Sequence, residues 1–246
     1  MMRFNFRRHC LPTLCLLAFC LPSLAHAGPS NSLMDISADG KLLACSNRDS
    51  GTVTIVSLDD HSVVREVKVG GHPEGVSFLG DSEQVAVAVY DDDKVVIFHA
   101  RNGENIGVVD IFDEPYGVVS RADGSRLYVT LDYPGQIVEI DTTTRKRIRT
   151  IDSGPFSRGL ALDPEEKRLY VTEFYTSTVR AIDIETGKVV DEWSGSSTDN
   201  LARQIVVNPR RPKVYLPHIR SRVNEAHGSG SIFPYIAVPD TRPGEG

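Results

Sequence analysis

The chain has 246 residues, with 27 Lys and Arg against 33 Asp and Glu and a formal net charge of −6. That acidic balance excludes the broad basic field needed for non-specific binding to nucleic acid or an anionic membrane surface. The length is ample for a sizeable core, and no composition break marks a linker between two domains.

Residues 1–27 read as a secretory signal. Arg3, Arg7 and Arg8 form a basic start, Leu11 to Leu24 are nearly all apolar, and Ala25-His-Ala27 supplies a small-x-small cleavage pattern. The apolar run is short for a membrane span and is interrupted by Pro12 and Pro22. Its removal takes away three cations and brings the net charge to about −9. It also takes three of the four cysteines, so the remaining Cys45 has no internal disulfide partner and reads as a small buried hydrophobe. The expected location is periplasmic or extracellular, with no membrane span after signal removal.

From Asn31 onward a unit of about 40 residues recurs. Pro73, Pro115 and Pro155 are spaced 42 and 40 residues apart, and each opens a short apolar run. In the second unit four apolar runs are expected as strands, at 75–79, 84–89, 94–98 and 105–111. The third unit has them at 117–120, 126–131, 136–140 and 146–151, and the fourth at 158–162, 168–173, 178–183 and 188–193. Acidic turns such as Asp39-Gly40, Asp123-Gly124 and Asp163-Pro164 separate the first two strands of a unit. The second strand of each unit is apolar at nearly every position, as a strand covered on both faces must be.

Four short strands per 40-residue unit predict an all-β fold, a β-propeller of four-stranded antiparallel blades. The blades are expected near 31–70, 71–112, 113–152, 153–195 and 196–246, within one domain covering 28–246. The fifth reads as incomplete. Arg203 to Val207, Lys213 to Pro217 and Ser231 to Val238 supply three strands, a polar insertion occupies 218–230, and no fourth strand follows. About four and a half blades would leave apolar sheet faces uncovered at both ends, so the pattern predicts part of a seven-bladed ring within a longer reading frame.

At Leu127-Tyr-Val-Thr130 and Leu169-Tyr-Val-Thr172, and again at Ala181-Ile-Asp-Ile-Glu-Thr-Gly-Lys188, the chain resembles the YVTN-type β-propeller repeat family. The resemblance covers roughly residues 31–217. Leu131 and Glu173 stand where the family usually has Asn, so the turn after the second strand differs here. The resemblance implies an exported bacterial seven-bladed propeller that serves as a binding scaffold. Some members carry a c-type haem segment of the di-haem peroxidase or MauG-like kind beyond the propeller. No Cys-x-x-Cys-His occurs in this sequence, so the expectation is no cofactor in this chain and any haem on a downstream segment or a partner.

In such blades the turns alternate between two faces of the disc. Loops entering the first strand (D–A) and linking second to third (B–C) share one face, where propeller ligands converge near the channel. That face offers His72, Tyr116, Arg158, Arg203, His218, Arg220, Arg222 and His227 as candidate residues for binding a protein partner, an adjoining domain or a small ligand, with no catalytic and no metal-ligating residue assigned. Glu74, Glu114, Phe156, Arg48, Tyr133, Tyr175 and Asp91-Asp92-Asp93 share the face. The three consecutive acids are read as a solvated turn in preference to a divalent-cation loop, and the histidines lack short-range ligand spacing. Arg158, Arg203 and Arg220 are open to two readings, an anion clamp or salt bridges between blades, the latter favoured. Tyr128, Tyr170 and Trp193 are assigned to packing.

The functional expectation is an exported non-catalytic scaffold binding a protein partner or small ligand on the D–A/B–C face, with no nucleic acid involved. Two alternatives are the propeller portion of a c-type haem redox protein and a metal-dependent lactonase-like hydrolase.

Overall fold

A computed structural model describes residues 31–224 and 229–242. The signal segment and His227 lie outside the described residues. Five sheets of four strands each succeed one another along the chain. The first comprises β1 (Asn31–Ile36), β2 (Leu42–Asn47), β3 (Thr52–Ser57) and β4 (Val63–Lys68), and the second β5 (Pro73–Phe78), β6 (Gln84–Val89), β7 (Lys94–His99) and β8 (Asn105–Asp110). The third contains β9 (Pro115–Ser120), β10 (Arg126–Leu131), β11 (Gln136–Asp141) and β12 (Lys146–Asp152), and the fourth β13 (Ser157–Leu162), β14 (Arg168–Glu173), β15 (Val179–Asp183) and β16 (Lys188–Trp193). These four are antiparallel meanders in chain order.

The fifth sheet overturns the expected half-blade. It has four strands, β17 (Asp199–Asn200), β18 (Val206–Val207), β19 (Val214–Asn224) and β20 (Ser229–Ala237). Five blades therefore replace the expected four and a half of a seven-bladed ring. The stretch read as a polar insertion is mostly strand: β19 runs through His218, Arg220 and Arg222 and pairs with β20 from Leu216↔Ala237 to Asn224↔Ser229. Polarity misled because β20 supplies the β-forming residues Tyr235, Phe233 and Ile232 opposite His218, Arg220 and Ser221, and pairing overrides composition. The first strand expected at Arg203 to Val207 is broken in two and begins earlier, with Asp199↔Arg220 and Val206↔Tyr215 pairing different ends of β19.

Period-2 alternation sends successive side chains of each second strand to opposite neighbours. Val85, Val87 and Val89 pack with Val53 and Ile55 of the first blade. Ala86 and Ala88, between them on β6, pack toward Leu127, Val129 and Leu131 of the third. Tyr128 and Ile137 meet Leu169, Val171 and Ile182 of the fourth. Tyr170, Val179 and Trp193 meet Ala202, Val214 and Leu216 of the fifth. The core is thus four inter-blade clusters, in which each fully buried aliphatic contributes about 1.5–3 kcal/mol. Tyr128, Tyr170, Trp193 and Cys45 are all buried in packing positions, and burial pushes the Cys45 thiol pKa up.

The first strands stand closest to the axis. Segments of all five line one axial cavity of about 320 Å³, from Leu33–Asp35 in β1 to Arg203–Val207 around β18. Glycine permits the approach: a Cβ on Gly117 would lie 2.1 Å from the Arg158 carbonyl oxygen, and one on Gly75 2.4 Å from that of Tyr116. The motif threonines then tie blade to blade. Thr130 Oγ1 accepts from Gly117 N (2.7 Å) and donates to Arg158 O (2.8 Å). Thr172 Oγ1 accepts from Gly159 N (2.8 Å) and donates to Ala202 O (3.0 Å).

Candidate functional site

The repeat builds the D–A/B–C face by one device. A left-handed residue recurs at one position in four blades: His72, Glu114 and Phe156 just before the first strand, and Leu201 in the break between β17 and β18. In three of them its carbonyl accepts the N–H of the residue just after the second strand: Tyr90 N to His72 O, Asp132 N to Glu114 O, and Phe174 N to Phe156 O. Two residues beyond each left-handed position stand Glu74, Tyr116, Arg158 and Arg203. Arg48, Tyr90, Asp132 and Phe174 each follow a second strand immediately. The result is two interleaved sets, and each member of one contacts a member of the other across a blade junction.

The four contacts differ in chemistry. Arg48 Nε donates to Glu74 Oε1 at 2.7 Å. Tyr90 and Tyr116 meet edge to face, ring centroids 6.4 Å apart. Arg158 grips Asp132 with two hydrogen bonds, Nε to Oδ1 at 3.1 Å and Nη2 to Oδ2 at 2.6 Å; the Asp132 side chain is buried and that of Arg158 is 14% exposed. The Arg203 guanidinium stands 5.6 Å from the Phe174 ring centroid. Arg158 also lies over Phe174 (3.6 Å) and Tyr116 (4.7 Å), so the paired guanidinium is sandwiched between rings. Burial first, and then the Glu74 carboxylate, push the Tyr116 phenol up to about 12. Burial, helped by a hydrogen bond with Glu114, raises Tyr90 as well. Both phenols are therefore fixed donors at neutral pH. Glu74 Oε2 is buried and has no hydrogen-bond partner among the described residues.

The structure brings Tyr116, Arg158 and Arg203 together. It places the other candidates elsewhere. His72 pairs with Asp91 through Nδ1 at 2.8 Å from Oδ1. His218 and Arg220 form a second group on the fifth blade, where Arg220 grips Asp199 (2.5 and 2.8 Å) and stacks over Tyr235 at 4.4 Å. Arg222 sits on β19 opposite Ser231. Arg158, Arg203 and Arg220 do not make one clamp, since two are held by separate aspartates and only Arg158–Asp132 bridges blades. Asp91, Asp92 and Asp93 diverge to His72, Lys94 and the Glu114 N–H, stitching a loop.

Reading the sequence missed Asp132 and Phe174 in favour of their neighbours Tyr133 and Tyr175. Those tyrosines are 61% and 55% exposed, because a one-residue step past the second strand reverses the side chain's direction. The signal was available: Arg48, Tyr90, Asp132 and Phe174 recur at one position of the repeat.

At the junction of blades four and five the set opens to solvent. Phe156 packs edge-on against Tyr175 (4.8 Å), and Tyr175 against Phe174 (4.9 Å). Phe156 and Tyr175 are exposed, as is Arg203, which makes no ion pair among the described residues.

No protein-family model matches this chain, and no curated protein matches it. Its fold is similar to that of solved β-propellers, and the protein is a β-propeller. A chain of Kuenenia stuttgartiensis hydrazine synthase aligns with a TM-score of 0.79 at 24% identity, covering 89% of this chain and 65% of that one. The Myceliophteria thermophila Cps50 (Swd1) β-propeller domain aligns with a TM-score of 0.62 at 13% identity, covering 83% and 72%. The chain spans less than two thirds of the hydrazine synthase chain, and at these identities the likeness concerns the fold.

Proposed function

We propose that this chain is an exported, non-catalytic scaffold of the YVTN-type repeat that docks a protein partner on its D–A/B–C face, at the junction of blades four and five. Export is supported by Arg3, Arg7, Arg8, the apolar run and Ala25-His-Ala27. The repeat type is supported by the equivalent roles of Thr130 and Thr172 in consecutive blades. The observation that carries docking is the exposed patch of Phe156, Tyr175 and Arg203 resting on Phe174. Rigid aromatics beside a solvent-facing arginine are the composition of interface anchors, and Arg203 is free to take a partner carboxylate.

The test is a pull-down from periplasmic extract with wild type, Arg203→Glu and Lys188→Glu, the last on the opposite face. A partner retained by wild type and Lys188→Glu but lost by Arg203→Glu supports the reading. Equal retention by all three overturns it.

A second reading treats the propeller as part of a c-type haem redox assembly. One protein of similar fold, hydrazine synthase, is an enzyme by its name. A Soret band in the complex recovered with the protein from periplasmic extract would support that reading, and a recovered complex without one would overturn it.

A further inference from the structure

Away from the docking patch, a pocket of about 90 Å³ lies between blades four and five. Ser177, Val179, Trp193, Asp199, Leu216 and His218 are among the residues that line it. Three of them carry buried polar atoms with no hydrogen-bond partner among the described residues: Ser177 Oγ, Trp193 Nε1 and His218 Nε2. Only two other such side-chain atoms occur among the described residues, Glu74 Oε2 and Tyr128 Oη. Buried polar groups without partners are costly and rare, so Ser177 Oγ and Trp193 Nε1 on one pocket point to a ligand that completes them.

Their chemistry defines that ligand. An indole N–H only donates, and a serine hydroxyl donates or accepts. His218 Nδ1 lies 3.1 Å from the Leu216 carbonyl oxygen, which can only accept. Asp199 Oδ2, also an acceptor, is 3.3 Å from Nε2, and the same carboxylate accepts from Arg220 and from the Ser196 N–H. Both ring nitrogens of His218 thus face acceptors, and neither offers a lone pair to the pocket. The pocket therefore presents an indole donor and a hydroxyl that donates or accepts, on otherwise apolar walls, beside the Asp199–Arg220 ion pair. Its volume is that of about three water molecules.

We infer that this pocket binds a small uncharged molecule bearing an acceptor oxygen next to an N–H or O–H donor, of the primary carboxamide or short alcohol class. The oxygen accepts from Trp193 Nε1, and the donor meets Ser177 Oγ. Asp199 selects against the isosteric carboxylate.

Trp193 is the only tryptophan in the chain, so one indole N–H resonance reports the pocket directly. Full-length ¹⁵N-labelled protein would be titrated with acetamide and, separately, with acetate. Acetamide is expected to move the indole peak saturably, with a dissociation constant of roughly 1 mM, the scale for so few ligand atoms. Ser177→Ala should weaken it about tenfold, as loss of one buried hydrogen bond predicts. Acetate should bind at least about tenfold more weakly than acetamide, the scale of one unfavourable partly buried charge contact. A linear, non-saturating drift with acetamide overturns the inference, as does an unchanged constant in Ser177→Ala. Equal binding of acetate and acetamide by wild type overturns it too, and that comparison needs no variant to fold.

Discussion

Blades two to four and blade five hold their first strands in place in different ways. In the regular blades a continuous six-residue strand carries a glycine that lets neighbouring backbones approach, and in blades three and four a threonine hydroxyl bonds on to the following blade. In blade five the first strand is split into two two-residue pieces; the Thr172 bond to Ala202 O persists between them, and a charged side chain on one piece fastens it within the blade, Asp199 to Arg220 on β19. Repetition places much of the cohesion in backbone geometry, which tolerates little change, and adds one bidentate ion pair, Asp132–Arg158, between blades three and four. The irregular blade places it in side-chain electrostatics, and in doing so leaves a polar pocket and an exposed aromatic–arginine patch at its border.

The largest effect that would sharpen this contrast is expected from Asp132→Ala. It strands Arg158 between Tyr116 and Phe174 without its carboxylate, at a cost of about 4 kcal/mol, because one partner of a buried pair has been removed. Urea unfolding monitored by circular dichroism measures it. A loss under about 1 kcal/mol would show that the pair is solvated, as exposed pairs are. Gly117→Ala comes next. Its methyl would overlap the Arg158 carbonyl, so blades three and four must separate, for a loss of about 3 kcal/mol by the same measurement. Thr172→Val removes the hydroxyl but keeps the shape, leaving Gly159 N and Ala202 O unpaired, and should cost about 2 kcal/mol.

Much of the regular architecture was legible in the sequence, because the repeat states it several times over. Gln84–Val89, Arg126–Leu131 and Arg168–Glu173 are strands with the bounds their apolar runs predict. What defeated sequence reasoning is of two physical kinds. The inward residues Asp132 and Phe174 sit one position from those chosen, and a single-residue step changes the face. Blade five is specified by long-range pairing: His218 and Arg220 read as an insertion until β20 is laid alongside them. The blade number suffered from the same gap, since a half-blade was counted where a broken strand completes the sheet.

Blade five's dependence on charge predicts a pH response. The Arg220 guanidinium holds the Asp199 carboxyl down, to about 2. A depressed folded-state value means that its stabilisation is complete above the ordinary aspartate pKa of about 3.9 and is lost as pH falls through the folded value. The advantage of wild type over Asp199→Asn should be flat from pH 7 to about 5, at about 1–2 kcal/mol, and vanish near pH 2. Urea midpoints for both proteins across that range decide it. A difference that persists unchanged at pH 2 would mean that Asp199 acts through shape and not charge.

The smallest stability effect is expected where function is proposed. Arg203 is exposed, pairs with no carboxylate among the described residues and touches the fold through Phe174. Arg203→Ala should therefore shift unfolding by no more than about 0.5 kcal/mol, in contrast to Arg158 one junction earlier. The same substitution removes the one guanidinium of the interleaved set left free for a partner carboxylate, so partner retention should fall while the melting curve stays in place. If Arg203→Ala instead destabilises the chain as much as Asp132→Ala does, Arg203 is one more fastener of blade five and the docking surface must be sought elsewhere on the face.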